Sequence, residues 1–292
     1  MRDALPFVEH PFRSETVDFD REGVTVLDGL IYAHTEDGFL RMDCLWDETM
    51  GTGLHPVIVW IHGGGFIEPQ VTRKSRPEQR FLALIRRGFL IASVDYRCSQ
   101  VRPFPSQIQD IKCAVRFLRA NAQRLAIDPE HIGVWGESCG GQLAGLMSVQ
   151  GGIEGFEDYG GYTGISSDVQ AAVSWYGALD VQLFHQLRME ADPLYPKQFE
   201  IMYGGKPDAM DLMLRKASPL TYAEQALCPF LAICSDGDSR VSYTVNTEFC
   251  ERATAAGNIA QFIQVSAQEH GYIAGEKYDQ LIYDFFERYL KG

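Results

Sequence analysis

The pentapeptide Gly136-Glu137-Ser138-Cys139-Gly140 constrains this chain more than any other stretch. It follows the apolar run Ile132-Gly133-Val134-Trp135 and leads at once into Gly141-Gln142-Leu143-Ala144-Gly145-Leu146-Met147. A G-x-S-x-G set between a strand and a helix is the sequence form of a nucleophile elbow. A serine on so sharp a turn has a strained backbone, tolerable only where small neighbours let strand and helix approach closely. The turn holds its hydroxyl clear of the sheet, where a histidine can reach it from one side and a substrate from the other.

The rest of the chain supplies the frame such a turn needs. Residues 57–61 and 90–94 are short, nearly continuous apolar runs, the pattern of parallel strands buried on both faces. Residues 24–33 and 40–45 read as strands flanking a turn at Glu36-Asp37-Gly38, and 171–175, 230–234 and 262–265 as later strands. Helices are expected at 77–87, at 242–256, at 276–290 and after Pro105-Ser106, where Ile108, Ile111, Val115 and Leu118 share one face. With the elbow strand this makes eight strands alternating with helices, hence a mostly parallel sheet covered on both faces. Residues 1–22 read as an N-terminal extension and 23–292 as one catalytic domain. Residues 178–222, irregular and rich in aromatics, Met and Pro, read either as a small cap inserted over a pocket or as a plain connecting pair of helices.

Composition removes several function classes. The chain has 292 residues, 46% of them apolar, yet no window approaches the ~20 apolar residues of a membrane span. Its start lacks the apolar run of a secretory signal, so the expectation is a cytoplasmic protein, unless a leader was trimmed. Seven cysteines without C-x-x-C pairing argue against a disulfide framework or a zinc site, and no metal or cofactor is expected. A net charge of −13 disfavours nucleic acid and anionic membrane surfaces as partners. The basic clusters Arg73-Lys74-Ser75-Arg76 and Arg86-Arg87 read as solvated faces.

A serine hydroxyl needs a general base within hydrogen-bond reach, and that base needs an orienting acid. Of seven histidines, His270 stands out. It follows the last strand candidate, in the loop Gln268-Glu269-His270-Gly271-Tyr272 before the final helix. His131 lies at a turn before the elbow strand, at the wrong end of the sheet, and His185, in the irregular segment, reads as a surface residue with a pocket-lining place as the alternative. His10, His34 and His55 lie in early loops with no chemical role expected. For the acid, residues 230–234 end in Ser235-Asp236-Gly237-Asp238, and Asp238 is preferred because it comes later in the loop. Asp236 then bonds nearby amides. His62-Gly63-Gly64-Gly65-Phe66 follows the third strand, and its glycines let backbone N–H groups approach a substrate carbonyl, as an oxyanion hole requires. Cys139 adds a further N–H, its thiol a bystander, and His62 fixes the loop.

Together these residues resemble the α/β-hydrolase superfamily, in particular its carboxylesterases with an H-G-G-G loop: the hormone-sensitive-lipase-like branch and the feruloyl/acetyl esterase group. The likeness runs from about residue 24 to the C-terminus and includes Asp95-Tyr96-Arg97, Asp128-Pro129 and Ala217-Ser218-Pro219-Leu220, with an Arg97–Asp110 bond expected. The resemblance implies an α/β-hydrolase fold with Ser138 as nucleophile, His270 as base, Asp238 as acid, and Gly64, Gly65 and Cys139 as oxyanion donors. It departs from the group in carrying Cys234-Ser235-Asp236-Gly237-Asp238 for the usual H-G-D-x-D, and Cys139 for the commoner alanine. The implied activity is hydrolysis of small acyl or aromatic-acyl esters, acetyl or feruloyl in type, through an acyl-enzyme. Phe66, Tyr176 and Tyr195 are the expected substrate-binding residues, with Tyr159, Tyr162, Phe199 and Tyr203 as further candidates. Rival readings are a serine peptidase of the prolyl-oligopeptidase kind and a non-catalytic hydrolase-fold binding protein. The expected partner is a small-molecule ester, with a homodimer through an edge strand or the 178–222 segment.

Overall fold

The computed structural model describes residues 16–157, 159–206, 209–271 and 275–292; His10 and most of the expected N-terminal extension lie outside them. Eight strands form one sheet: β1 (Val24–Thr35), β2 (Gly38–Asp47), β3 (His55–Ile61), β4 (Leu90–Val94), β5 (Ile127–Glu137), β6 (Ala171–Trp175), β7 (Phe230–Ser235) and β8 (Ala260–Val265). Their spatial order is β1-β2-β4-β3-β5-β6-β7-β8. The pairs β1–β2 and β2–β4 are antiparallel and all others are parallel. Among the described residues eight helices accompany the sheet: α1 (Glu78–Ile85), α2 (Ser106–Ala120), α3 (Cys139–Met147), α4 (Val181–Ala191), α5 (Tyr195–Tyr203), α6 (Asp211–Ala217), α7 (Tyr243–Ala255) and α8 (Glu276–Leu290).

Side chains alternate across the sheet as the two-residue strand period demands. Val57, Val59 and Ile61 of β3 join a core with α2, α3 and α7, while Ile58 and Trp60 join the opposite core with α1 and α8. Trp60, Trp135 and Trp175 lie side by side in that second core, at ring separations of 5.0 and 5.2 Å. The apolar runs of β3, β4 and β6 are thus buried on both faces, and the expected doubly covered sheet is present. Among the described residues no helix is long and apolar enough to cross a membrane.

Two sequence expectations change. Asp128-Pro129-Glu130-His131, read as a turn, is the start of β5. Its pairing with β3 is irregular between His55 and Val57, so the missing N–H of Pro129 interrupts no regular ladder. The irregular 178–222 stretch contains three helices, α4, α5 and α6, and a 3-10 turn at Pro219–Tyr222. Asp180 caps α4 by accepting from the Leu183 N–H, and a proline in the first turn opens α5.

Small residues hold the elbow together. Ser138 has φ 50° and ψ −119°, outside the regions a side chain ordinarily favours. A β-carbon on Gly136 would lie 2.1 Å from the Gly140 carbonyl oxygen, and one on Gly140 would lie 2.2 Å from that of Ile61. The strand–helix approach therefore excludes any side chain at either position.

Candidate active site

The carboxyl ends of β3, β5, β7 and β8 converge on one cavity of about 260 Å³, lined among others by Ser138, His270, Gly64, Gly65 and Cys139. Ser138 Oγ lies 2.9 Å from His270 Nε2. His270 Nδ1 donates to Asp238 Oδ2 at 2.8 Å, and the Asp238 side chain is 1% exposed. The other Asp238 oxygen accepts the N–H groups of Arg240 and Val241, both at 2.8 Å. This carboxylate is therefore held from both sides. Asp236 is exposed and touches neither Ser138 nor His270; it accepts from the Ala267 N–H and Gln264 Nε2. With Ser235 Oγ, which accepts from the Gln268 N–H, it ties down the loop that carries His270.

The glycine loop is braced from below. His62 donates from Nδ1 to the Gly63 carbonyl at 2.9 Å and stacks on Tyr96, whose hydroxyl donates to the His62 and Gly63 carbonyls. Gly64 and Gly65 have φ of 96° and 58°, a conformation that favours glycine. The Cys139 thiol is buried 3.5 Å from the Tyr96 hydroxyl, and burial pushes its pKa up to about 12, so it stays protonated. Arg97 is bonded to Asp110 through Nε and Nη2, as expected.

Glu137, the first of the two variable residues of the pentapeptide, carries a link that motif reading missed. It is 2% exposed. Its Oε1 accepts the Gly63 N–H at 3.1 Å and its Oε2 accepts the Tyr176 hydroxyl at 2.6 Å. Tyr176 in turn sets its ring edge-on to His270 at 5.1 Å. One carboxylate thus joins the glycine loop to the platform beside the imidazole. The one charged residue in the run 132–147 was the available signal, because a buried charge needs partners.

Of the aromatics singled out from sequence, Phe66, Tyr176, Tyr195 and Tyr203 line the cavity. Tyr159 does not: it lies under the Arg97 guanidinium. Tyr162 packs on Phe117, and Phe199 is buried behind His185 and Tyr203. His185 is 3% exposed and lines the cavity, the alternative to its surface reading. It shares a hydrogen bond with the Tyr195 hydroxyl, and burial lowers its pKa to about 3, leaving the ring neutral. His131 bonds locally to Asp128, away from the cavity. Among the described residues no cluster of His, Cys, Asp or Glu could hold a metal ion.

A mostly parallel sheet with a serine elbow after its fifth strand is the α/β-hydrolase fold. Within that class the chain belongs to the BD-FAE family, which matches residues 42–252. It is 28% identical over 218 residues to the probable carboxylic ester hydrolase LipM of Mycobacterium tuberculosis, covering 74% of this chain and 47% of that protein. The chain spans about half the length of the curated relatives it matches. Among solved structures, a bifunctional GH43-CE protein of Bacteroides eggerthii superposes with a TM-score of 0.77 at 28% identity, over 90% of this chain and 38% of that one. A truncated carbohydrate esterase from gut microbiota gives the same TM-score at 23% identity, over 97% of this chain and all of that one, a likeness of fold.

Proposed function

We propose that this chain is a serine carboxylesterase that works through an acyl-enzyme, with Ser138 as nucleophile, His270 as base and Asp238 as the orienting acid. The observation that carries this is the continuous relay from Ser138 Oγ to Asp238, at 2.9 and 2.8 Å, opening into a cavity beside the glycine loop. His270 takes the serine proton as Oγ attacks the ester carbonyl and later returns a proton to the leaving alcohol. Backbone N–H groups of Gly64, Gly65 and Cys139 stabilise the developing oxyanion. Water then attacks the acyl-enzyme with His270 again as base. Ser138→Ala should abolish nearly all hydrolysis of p-nitrophenyl acetate and all labelling by a fluorophosphonate. Wild-type turnover by that variant would end the reading.

The substrates of this reading are small acyl or aromatic-acyl esters, which suit a cavity of about 260 Å³ walled by Phe66, Tyr176 and Tyr195. A panel of acetyl, butyryl, octanoyl and feruloyl esters tests it, and a flat response would remove the aromatic-acyl preference. In the same reading residues 23–292 are the catalytic domain and 178–222 its cap, since α4 and α5 contribute Phe184, His185, Tyr195 and Met202 to the cavity wall. All seven cysteines are free, which fits a reducing, cytoplasmic setting. A homodimer through an edge strand or the cap is the expected assembly, read by light scattering.

A further inference from the structure

Two arginines, Arg188 and Arg240, line the Ser138 cavity. Helix α4 turns one face toward it, with Phe184, His185 and Arg188 at the i, i+1, i+4 spacing that aligns side chains on a helix. The Arg188 side chain is 24% exposed, its guanidinium set over the Tyr195 ring at 5.2 Å. Its one charged partner among the described residues, Asp192, is 3.4 Å away at the edge of hydrogen-bonding range. A guanidinium has five donors, so most of this fork is open. Arg240 comes from the turn that carries Asp238, which fixes its backbone N–H at 2.8 Å. Its guanidinium has no hydrogen bond or ion pair among the described residues.

The acidic groups of the lining do not answer these charges. Glu137 is turned to Gly63 and Tyr176. Glu68 lies beside Gln70, with its Oε2 3.4 Å from Gln70 Nε2. The remaining wall is aromatic, apolar or neutral, with Gln142 and Gln198 as its amides. In a partly enclosed, aromatic cavity an arginine fork binds a carboxylate more strongly than the same pair would bind on an open surface. A chain of net charge −13 nevertheless repels further negative charge outside the cavity, which favours a ligand with one anionic group over a polyanion.

We propose that this cavity selects esters carrying one free carboxylate, with Arg188 and Arg240 as the specificity-determining residues. The proposal rests on the esterase reading and narrows it. The carboxylate can sit on the acyl part, as in a hemiester of a dicarboxylic acid, or on the alcohol part, as in an acidic sugar or a hydroxy acid. Two isosteric pairs separate these sources. On the acyl side, p-nitrophenyl hemiglutarate is compared with its carboxamide, p-nitrophenyl 4-carbamoylbutyrate. On the alcohol side, O-acetylmandelate is compared with O-acetylmandelamide, by acid release at constant pH.

In the arm that matches, wild-type kcat/KM for the carboxylate ester should exceed that of its amide by about 10-fold or more. Salt at about 0.5 M should shrink the ratio. Arg188→Gln and Arg240→Gln should each lower it, the double variant should bring it close to one, and Arg188→Lys should recover only part because it lacks the fork. Thermal melts confirm that the variants are folded. A ratio of one or less in both arms, or a ratio unmoved in the folded double variant, overturns the proposal. The amide esters keep the two readings apart: their turnover by wild type and its loss in Ser138→Ala sustain the esterase whichever way the ratio falls. If wild type turns over none of the four esters, the esterase reading fails and the proposal with it.

Discussion

Replacing Glu137 with glutamine keeps the size of the side chain and removes its charge. The carboxylate now accepts from both the Gly63 N–H and the Tyr176 hydroxyl. An amide has one acceptor and one donor group, so its oxygen can keep Gly63 while its NH2 faces Tyr176, whose hydroxyl must rotate to accept. Each bond then drops from the charged range, about 1.5–3 kcal/mol, to the neutral range of about 0.5–1.5 kcal/mol. The expected loss of stability is about 1 kcal/mol per bond, or ~2 kcal/mol in all. The kinetic effect follows from what the bonds hold. Gly63 adjoins the proposed oxyanion donors Gly64 and Gly65, and removing a whole donor costs about 100- to 1000-fold in kcat. A donor merely loosened should cost about 10-fold, or ~1.4 kcal/mol of barrier. KM should move little, because these donors act mainly on charge that develops in the transition state. The assay is kcat and KM on p-nitrophenyl acetate beside urea unfolding. Glu137→Ala serves as the harsher comparison: it strands two buried donors at about 1–3 kcal/mol each. A Glu137→Gln enzyme with wild-type kcat and an unmoved urea midpoint would refute the argument that this carboxylate couples loop and platform.

Other perturbations test separate parts of the structure. Asp238→Asn should lower kcat by about 10^4, as loss of an orienting acid does elsewhere, and Asp236→Asn by far less; the reverse ranking would exchange their roles. Gly140→Ala puts a methyl carbon 2.2 Å from the Ile61 carbonyl oxygen and 2.6 Å from that of His62. Since backbone must move, it should cost about 1–3 kcal/mol in urea unfolding and most of the activity. Gly51→Ala, with nothing within 4 Å of the new carbon, is the control and should leave both unchanged. Asp43 supplies a pH test: burial opposes its ionisation, but bonds from Lys74, Arg73 and the Gly29 N–H outweigh burial and bring its pKa from 3.8 down to about 2. A folded pKa below the unfolded one gives stability that is present above about pH 4 and lost as pH falls through about 2. Between pH 7 and pH 2 wild type should therefore lose ~2 kcal/mol more than Asp43→Asn, by urea unfolding at each pH. Parallel losses would show that the bonded network around Asp43 does not tune acid stability.

Some features were legible because burial writes them into the local sequence. Strands β3, β4 and β6 lie inside the sheet and are covered on both faces, so their apolar runs are nearly unbroken and their ends are sharp. Ser138, Asp238 and the Gly63–Gly65 loop each follow a buried run, and His270 follows the last strand before the final helix, which is why position alone nominated them. What escaped depends on partners distant in sequence. The Glu137–Gly63 bond spans a separation of 74 residues and exists because β5 and β3 pair in parallel, with Gly136 opposite Ile61. Helix α4 carries polar residues all along its length, and nothing local says that His185 faces the aromatic rings of α5. Tyr159 and Tyr162 are pocket candidates by residue type alone, whereas their places are set by Arg97 and Phe117. Proline 129 reads as a turn until the irregular β3–β5 pairing explains how a strand tolerates it.

The proposed base hangs from the margin of the sheet. Among the described residues strand β8 pairs only with β7, its residues are mostly part-exposed, and the loop to His270 is tethered through Asp236 and Ser235. Three of the four tryptophans, Trp60, Trp135 and Trp175, are by contrast sealed in the middle of the molecule. Edge elements open with smaller free energies than central ones. The proposed base and most of the tryptophan signal should therefore belong to different cooperative units. On gentle heating the enzyme should fall silent while its tryptophans still report an intact interior, and on cooling the edge strand should re-dock and restore activity without the core ever having come apart.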